Sequence, residues 1–331
     1  MTAVQRFRDE APRLDHARLT AGHRRFQAGI TETRRRRRGG WQLAAVGAVA
    51  SVVATALLST LTMRQEEAAS TRPESHAQRW VYQEVRWDTW QCGTGAGTDG
   101  YSEVGSFNLG PASPSCSARP AAPKYKHKWI RYNGSALATP DESTSDPDDV
   151  DVWQGNYQTG WELLPPEDSD DLVARLPADA AAALRLIRGH SVPTRFAGTL
   201  RLTQVQRDFA DVVGVLATAP DLPPAKARTL HDVIMSLAGV TVPVRVTDGV
   251  GRAVLAIGVD GDFRDYSDQR NSMQVLLDPK TFAYRGVRYV AGLDYHVGGK
   301  SSGGPFVAKG TVLATATRVS TALVEKAGEH P

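Results

Sequence analysis

Cysteine is almost missing from this 331-residue chain, which holds only Cys92 and Cys116, with no metal-ligand companions at usable spacing. Histidine is no better organised. Beyond residue 63, His76, His127, His190, His231, His296 and His330 are scattered singly, never as His-Glu-x-x-His or in paired zinc spacing. His231 and Asp232 are adjacent on a predicted helix, so their side chains are expected to diverge by about 100°. No Gly-x-Ser-x-Gly elbow and no Ser-x-x-Lys signature occurs, which leaves a hydrolase only the option of a triad assembled from distant residues. Gly298-Gly299-Lys300-Ser301 resembles the end of a phosphate-binding loop, but Asp294 stands where that pattern needs its first glycine. The acidic stretch Asp141, Glu142, Asp146, Asp148, Asp149 and Asp151 has no glycine or closing glutamate in calcium-loop register, so a solvated surface loop is expected. No catalytic, cofactor-binding or metal-ligating set is predicted.

Charge is missing from Trp41 to Met63, and that absence says most. Twenty-three uncharged residues at 1.5 Å rise per residue reach roughly 34 Å, enough to cross a hydrocarbon core of about 30 Å. Directly before this run stand Arg34, Arg35, Arg36, Arg37 and Arg38. Residues 1–40 carry eleven arginines and four acids, whereas the first fifteen residues after the run offer Arg64 and Arg72 against Glu66, Glu67 and Glu74. The positive-inside rule therefore places residues 1–40 in the cytoplasm and the rest outside the cell membrane. The competing reading is a cleaved export leader, since twin arginines ahead of an apolar stretch also describe one. Against it, the run is much longer than a leader's apolar region and no small-x-small site closes it. Gly47, Ser51, Thr55 and Ser59, at four-residue spacing, would let two such helices approach closely.

This partition explains the overall charge of +3. Residues 1–40 have a net charge of +7, and the remaining 28 basic and 32 acidic residues give −4. Positive charge piled against a membrane meets anionic headgroups, so no nucleic-acid partner is predicted. On the outer side Cys92 and Cys116 read as one disulfide in an oxidising space, closing a Gly-, Ser- and Pro-rich loop; two unpaired thiols are the alternative. In the tail, Asp15 is a candidate N-cap, and Leu19, Phe26 and Ile30 line one helical face. A helix this short gains stability by docking, either on a cytoplasmic partner or on the membrane surface.

Residues 64–79 read as a polar linker and residues 80–331 as the outer domain. Strand patterns are predicted at Trp80 to Trp90, Tyr125 to Tyr132 before the Asn133-Gly134 turn, and Trp153 to Trp161. Along Lys124 to Trp129, lysines alternate with aromatic residues, which predicts a strand with a cationic side open to anionic lipid or wall polymer. Helices follow: Asp168 to Leu176 as a short capped helix stopped by Pro177, Ala178 to Arg188, Leu202 to Leu216, and one opened by Pro223-Pro224 and stopped at Gly239. Strands return at Pro243 to Thr247, Arg252 to Val259, Met273 to Leu277, Phe282 to Val290 and Val312 to Val319. Strands, helices, then strands predict an α+β domain with a curved antiparallel sheet packed on helices.

The Arg-rich start, the single span, Trp80-Val81-Tyr82, Leu176-Pro177, and Leu222-Pro223-Pro224 through Leu237-Ala238-Gly239-Val240 form a recognisable series. Leu277-Asp278-Pro279-Lys280-Thr281, Tyr284-Arg285-Gly286 and Ala322-Leu323-Val324 extend it. With these residues the chain resembles an uncharacterised actinobacterial family of single-pass membrane proteins whose organisation is similar to that of anti-sigma regulators. Its strand, Asp-Pro, strand unit resembles the half-barrel of lipoprotein carriers. The resemblance implies a non-catalytic sensor that couples an extracytoplasmic domain to a cytoplasmic sigma factor or other regulator. The alternative is an envelope carrier or scaffold for a lipid or lipoprotein, and an anchored hydrolase is the third reading.

Overall fold

A computed structural model describes residues 78–91, 117–141, 149–154, 164–190, 202–259 and 271–331. Cys92, Cys116, Arg34 to Arg38, the apolar run and Leu19, Phe26 and Ile30 lie outside the described residues. Among the described residues no helix is long and apolar enough to cross a membrane. All of them belong to one compact unit, Arg72–Pro331.

Among the described residues the unit is α+β, with a large antiparallel sheet and four helices. Its strands are β1 (Trp80–Gln91), β2 (Ser117–Pro120), β3 (Lys124–Arg131), β4 (Ala136–Pro140), β5 (Val150–Gln154), β6 (Val244–Thr247), β7 (Ala253–Gly258), β8 (Asn271–Leu277), β9 (Tyr284–Ala291) and β12 (Val312–Val324). A small separate hairpin joins β10 (Tyr295–His296) to β11 (Phe306–Val307). The main order is β5-β4-β3-β1-β12-β9-β8-β7-β6, with β2 on the end of β1. Two local meanders, β3 to β5 and β6 to β9, are therefore joined through β1 and β12, with Trp80 opposite Val324.

The helices are α1 (Pro166–Arg175), α2 (Ala180–Gly189), α3 (Gln204–Thr218) and α4 (Pro224–Ser236). Their starts follow local chemistry. Asp179 accepts from the Ala182 N–H, and Thr203 with Gln206 forms a reciprocal capping box. Proline occupies the first turn of α1 and α4, where its missing N–H costs nothing. Asp168 is not the cap of α1 as expected; it lies inside the first turn, where an acid still favours the positive helix end.

All four helices pack on one face of the sheet. Val85 and Trp87 of β1, Ile257, Met273, Val275, Val287 and Ala316 meet Leu172, Ile187, Phe209, Val213, Leu230 and Ile234 in one closed core. Burial of each large side chain stabilises by about 1.5–3 kcal/mol. The bulge in β12 beside Glu84 and Val85 turns Arg318 into this layer, opposite Val85. There Arg318 Nη2 donates to the Ala217 carbonyl at 3.0 Å, and Gln83 Nε2 reaches the same oxygen at 3.4 Å. A cation thus meets the negative end of α3.

The sheet coils on itself. β7 stands three strands from β12, about 14 Å away if the sheet were flat. Yet the β6–β7 tip donates from Gly249 N to Thr317 Oγ1 at 3.0 Å, and Arg252 donates to the Arg318 carbonyl at 2.7 Å. Asp248, whose carboxylate accepts from Val250 N, Arg252 N and Arg252 Nε, holds that tip in shape.

β3 departs from the expected cationic face. Lys124 is exposed, but Lys126 is half-buried and Lys128 buried, because the lysine side of β3 runs toward Val85 and Trp87 on the helix-covered layer. Asp141 donates through its N–H to the Asp149 carbonyl, and residues 142–148 lie outside the described residues.

Candidate functional site

Register alone assembles a polar cluster on the face opposite the helices. Glu84 of β1 stands between Ser320 of β12 and His127 of β3, and one step along Tyr82 stands between Ala322 and Trp129. Residues directly opposite in antiparallel strands share a face, and diagonal neighbours lie within reach of long side chains. Hence Tyr82 Oη meets His127 Nδ1 at 2.8 Å across the diagonal, and Ser320 Oγ donates to Glu84 Oε2 at 3.2 Å.

The segment that follows β12, residues 325–331, lies over this cluster. Glu329 folds it, since its Oε2 accepts from Glu325 N at 3.0 Å and Lys326 N at 3.3 Å. Trp129 Nε1 donates to the Glu329 carbonyl at 2.8 Å, and Ala327 packs against the apolar cluster that contains Trp80, Tyr82, Trp129 and Val324. His330 then delivers its Nδ1 to within 3.2 Å of Tyr82 Oη. The His330 ring sits edge-on to Tyr82, His127 and Trp129, with centroids 5.2, 5.5 and 5.3 Å away.

The Tyr82 hydroxyl has one proton and two imidazole neighbours. Every group is satisfied when one ring donates from Nδ1 to Tyr82 Oη and the other accepts the Tyr82 proton, for instance His330 Nδ1–H to Tyr82 Oη and Tyr82 O–H to a neutral His127 Nδ1. Burial, then the charge of Glu84, pushes the Tyr82 phenol up to about 12, against the hydrogen bond with Ser320. Burial also lowers His127, and the neighbouring His330 adds to this, while Glu84 opposes it. Both groups are held in their neutral forms, as an acceptor–donor chain requires.

A second contact joins α4 to the β8–β9 turn. Phe282 is held at φ 58°, a left-handed conformation rare for an aromatic residue, and stacks on His231 with centroids 4.0 Å apart. Arg228 lies over the Phe282 ring at 5.0 Å. His231 Nδ1 approaches Asp232 Oδ1 at 3.0 Å, so these neighbours do not diverge as expected. The flexible Asp232 side chain swings along the helix surface to meet a ring fixed by Phe282.

The remaining motifs take structural places. Gly298 and Gly299 have positive φ and form a turn that leads into a short 3-10 helix at Lys300–Ser302. Among the described residues no three His, Cys, Asp or Glu side chains gather to hold a metal. The Tyr82, His127 and His330 group was not foreseen. Its members come from three separate segments, and the available signal was the alternation that puts His127 beside Tyr125 and Trp129 on one side of β3. No protein-family model, curated protein or solved structure matches the chain.

Proposed function

We propose that the chain is a single-pass membrane regulator or sensor without catalytic activity, organised like an anti-sigma regulator. In this reading residues 1–40 lie in the cytoplasm, 41–63 cross the membrane, 64–79 are the linker and 80–331 form the extracytoplasmic domain. Leu19, Phe26 and Ile30 present the face that holds a cytoplasmic partner, and Cys92 and Cys116 form a disulfide on the outer side.

The observation that carries the reading is where the linker meets the fold. It leads into β1, an interior strand flanked by β3 and β12. Arg79, one residue before β1, pairs with Glu325 at 2.9 Å and reaches the Leu323 carbonyl at 3.4 Å. The tether thereby shares an anchor with the segment that covers the Tyr82, His127 and His330 cluster. A change at that cluster has a short covalent route to the membrane span.

Among the described residues, the layer between sheet and helices offers a lipid or lipoprotein carrier no chamber. Such a protein needs a chamber of several hundred Å³, on the order of other small-molecule sites. Phe209, Leu230, Ile234, Ile257 and Met273, all closed to solvent, fill the layer between sheet and helices.

The test is co-purification of the full chain in detergent from its native cells, compared with a chain lacking residues 1–32 and with a Leu19→Ala, Phe26→Ala, Ile30→Ala variant. A sigma factor or other transcription regulator retained by the full chain and lost from both variants is expected. Equal retention by all three chains, or none by the full chain, rejects the regulator reading.

A further inference from the structure

We propose that residues 325–331 form a pH-operated strap, latched over β1 and β3 at neutral pH by the His330, Tyr82 and His127 chain and released as the pH falls. This deepens the sensor reading by naming protons as the signal, although the latch itself requires only the folded unit Arg72–Pro331.

The chain can close in either sense, but only with one ring as donor and the other as acceptor. His330 Nδ1 at 3.2 Å and His127 Nδ1 at 2.8 Å compete for a single phenolic oxygen, so the latch closes when one ring gives a proton and the other receives one. Protonated His127 becomes a donor. Once His330 is a donor as well, the Tyr82 proton has no imidazole to enter, and two cationic rings would stand with centroids 5.5 Å apart. Such a pair repels, and the fully buried Trp129 closes off one side of it, with His127 half-buried and His330 exposed.

The groups facing the latch do not cancel this. β1 contributes Glu84, already engaged by Ser320 of β12, and further along the same face Arg86, paired with Asp88 at 2.8 Å. β3 contributes Tyr125 and His127 on this side, with its lysines on the other. Within the strap, Glu329 is turned to the N–H groups of Glu325 and Lys326, and Glu325 is turned to Arg79. Of these carboxylates Glu84 acts on His127, where it opposes the lowering without outweighing it.

The sign follows from His127. Its protonation is disfavoured when the strap is closed and ordinary, near 6.5, when the strap is open. Closure is therefore complete above that ordinary value and weakens as the pH falls below it, by up to about tenfold per pH unit for each proton taken up on opening. Opening would uncover Trp129, Tyr82 and Trp80 beside the tether.

Amide hydrogen exchange of the full-length protein in detergent, corrected for the intrinsic pH dependence of exchange, tests the latch. Protection of residues 325–331 is expected to fall about tenfold between about pH 7.5 and about pH 5. His127→Gln keeps an acceptor for Tyr82 but cannot be protonated, and should hold its protection within about twofold over the same range. His330→Gln, a change in a less buried ring, supplies the same test should the first variant fail to fold. Protection independent of pH in the unsubstituted chain, or an undiminished response in a folded variant of either kind, overturns the proposal. Neither result bears on retention of a cytoplasmic partner by residues 1–40.

Discussion

Arg318 and Ala217 are 101 residues apart, and the guanidinium Nη2 of one donates to the carbonyl of the other at 3.0 Å inside the layer between sheet and helices. Arg318 Nη1 also donates to Thr321 Oγ1 at 3.0 Å, and its guanidinium lies 5.2 Å from the Tyr284 ring centroid. Replacing it by methionine keeps the bulk and leaves a buried helix-terminal carbonyl with only the longer bond from Gln83. Arg318→Met is expected to lower unfolding free energy by about 2–3 kcal/mol, measured by urea titration. Arg318→Lys should recover only part, because a single ammonium cannot serve all three partners.

Phe282 and His231 should behave as one unit. His231→Ala in the natural chain is expected to cost about 1 kcal/mol through the lost stack. In a Phe282→Gly background the same change should cost almost nothing, since glycine accepts the φ of 58° but offers no ring. A double-mutant cycle on denaturation midpoints measures the difference, and additive effects would show that the stack contributes nothing.

Gly286 is the most constrained backbone position in the sheet. Its φ is 135°, and a Cβ there would stand 2.0 Å from the Ala316 carbonyl oxygen and 3.0 Å from its carbon. These are atoms of the neighbouring β12 ladder, which cannot shift without breaking it. Gly286→Ala should destabilise by more than about 4 kcal/mol, seen as loss of soluble protein or of the folded circular dichroism signal.

Asp211 supplies a pH dependence separate from the latch. Burial and the charge of Asp208, against Arg207, push its carboxyl up from 3.8 to about 7. A folded-state value above the unfolded one means that the folded state holds the extra proton. Stability from this group is thus present below pH 3.8 and lost as the pH rises to about 7. Asp211→Asn should flatten that slope and leave the protein more stable than the natural chain at neutral pH, as read from melting temperatures across the range.

Most of the element series was legible. The four helices fall within a few residues of their predicted spans because apolar periodicity and the Pro223-Pro224 pair mark them locally, whereas the caps at Asp179 and Thr203 were not read from the sequence. β4 was not foreseen: Ala136–Pro140 holds alanine and proline, and becomes a strand by pairing with β3 and β5 on either side. β12 runs to Val324 rather than Val319, since the bulge that absorbs Val319 lets pairing with β1 continue through Ser320. The candidate site was hidden for the same reason. Tyr82 and His330 are 248 residues apart, and only pairing across β1, β3 and β12 makes them neighbours.

β12 lies between β1 and β9, and its partners in β1 are more than two hundred positions earlier in the chain. The two meanders can each form from near neighbours, but they remain two half-sheets with raw edges until β12 slots between them. Closing so long a loop is slow, and the waiting edges are templates for pairing with other chains. Until the bridging strand has emerged and inserted, the half-sheets carry the edges most open to pairing with other molecules.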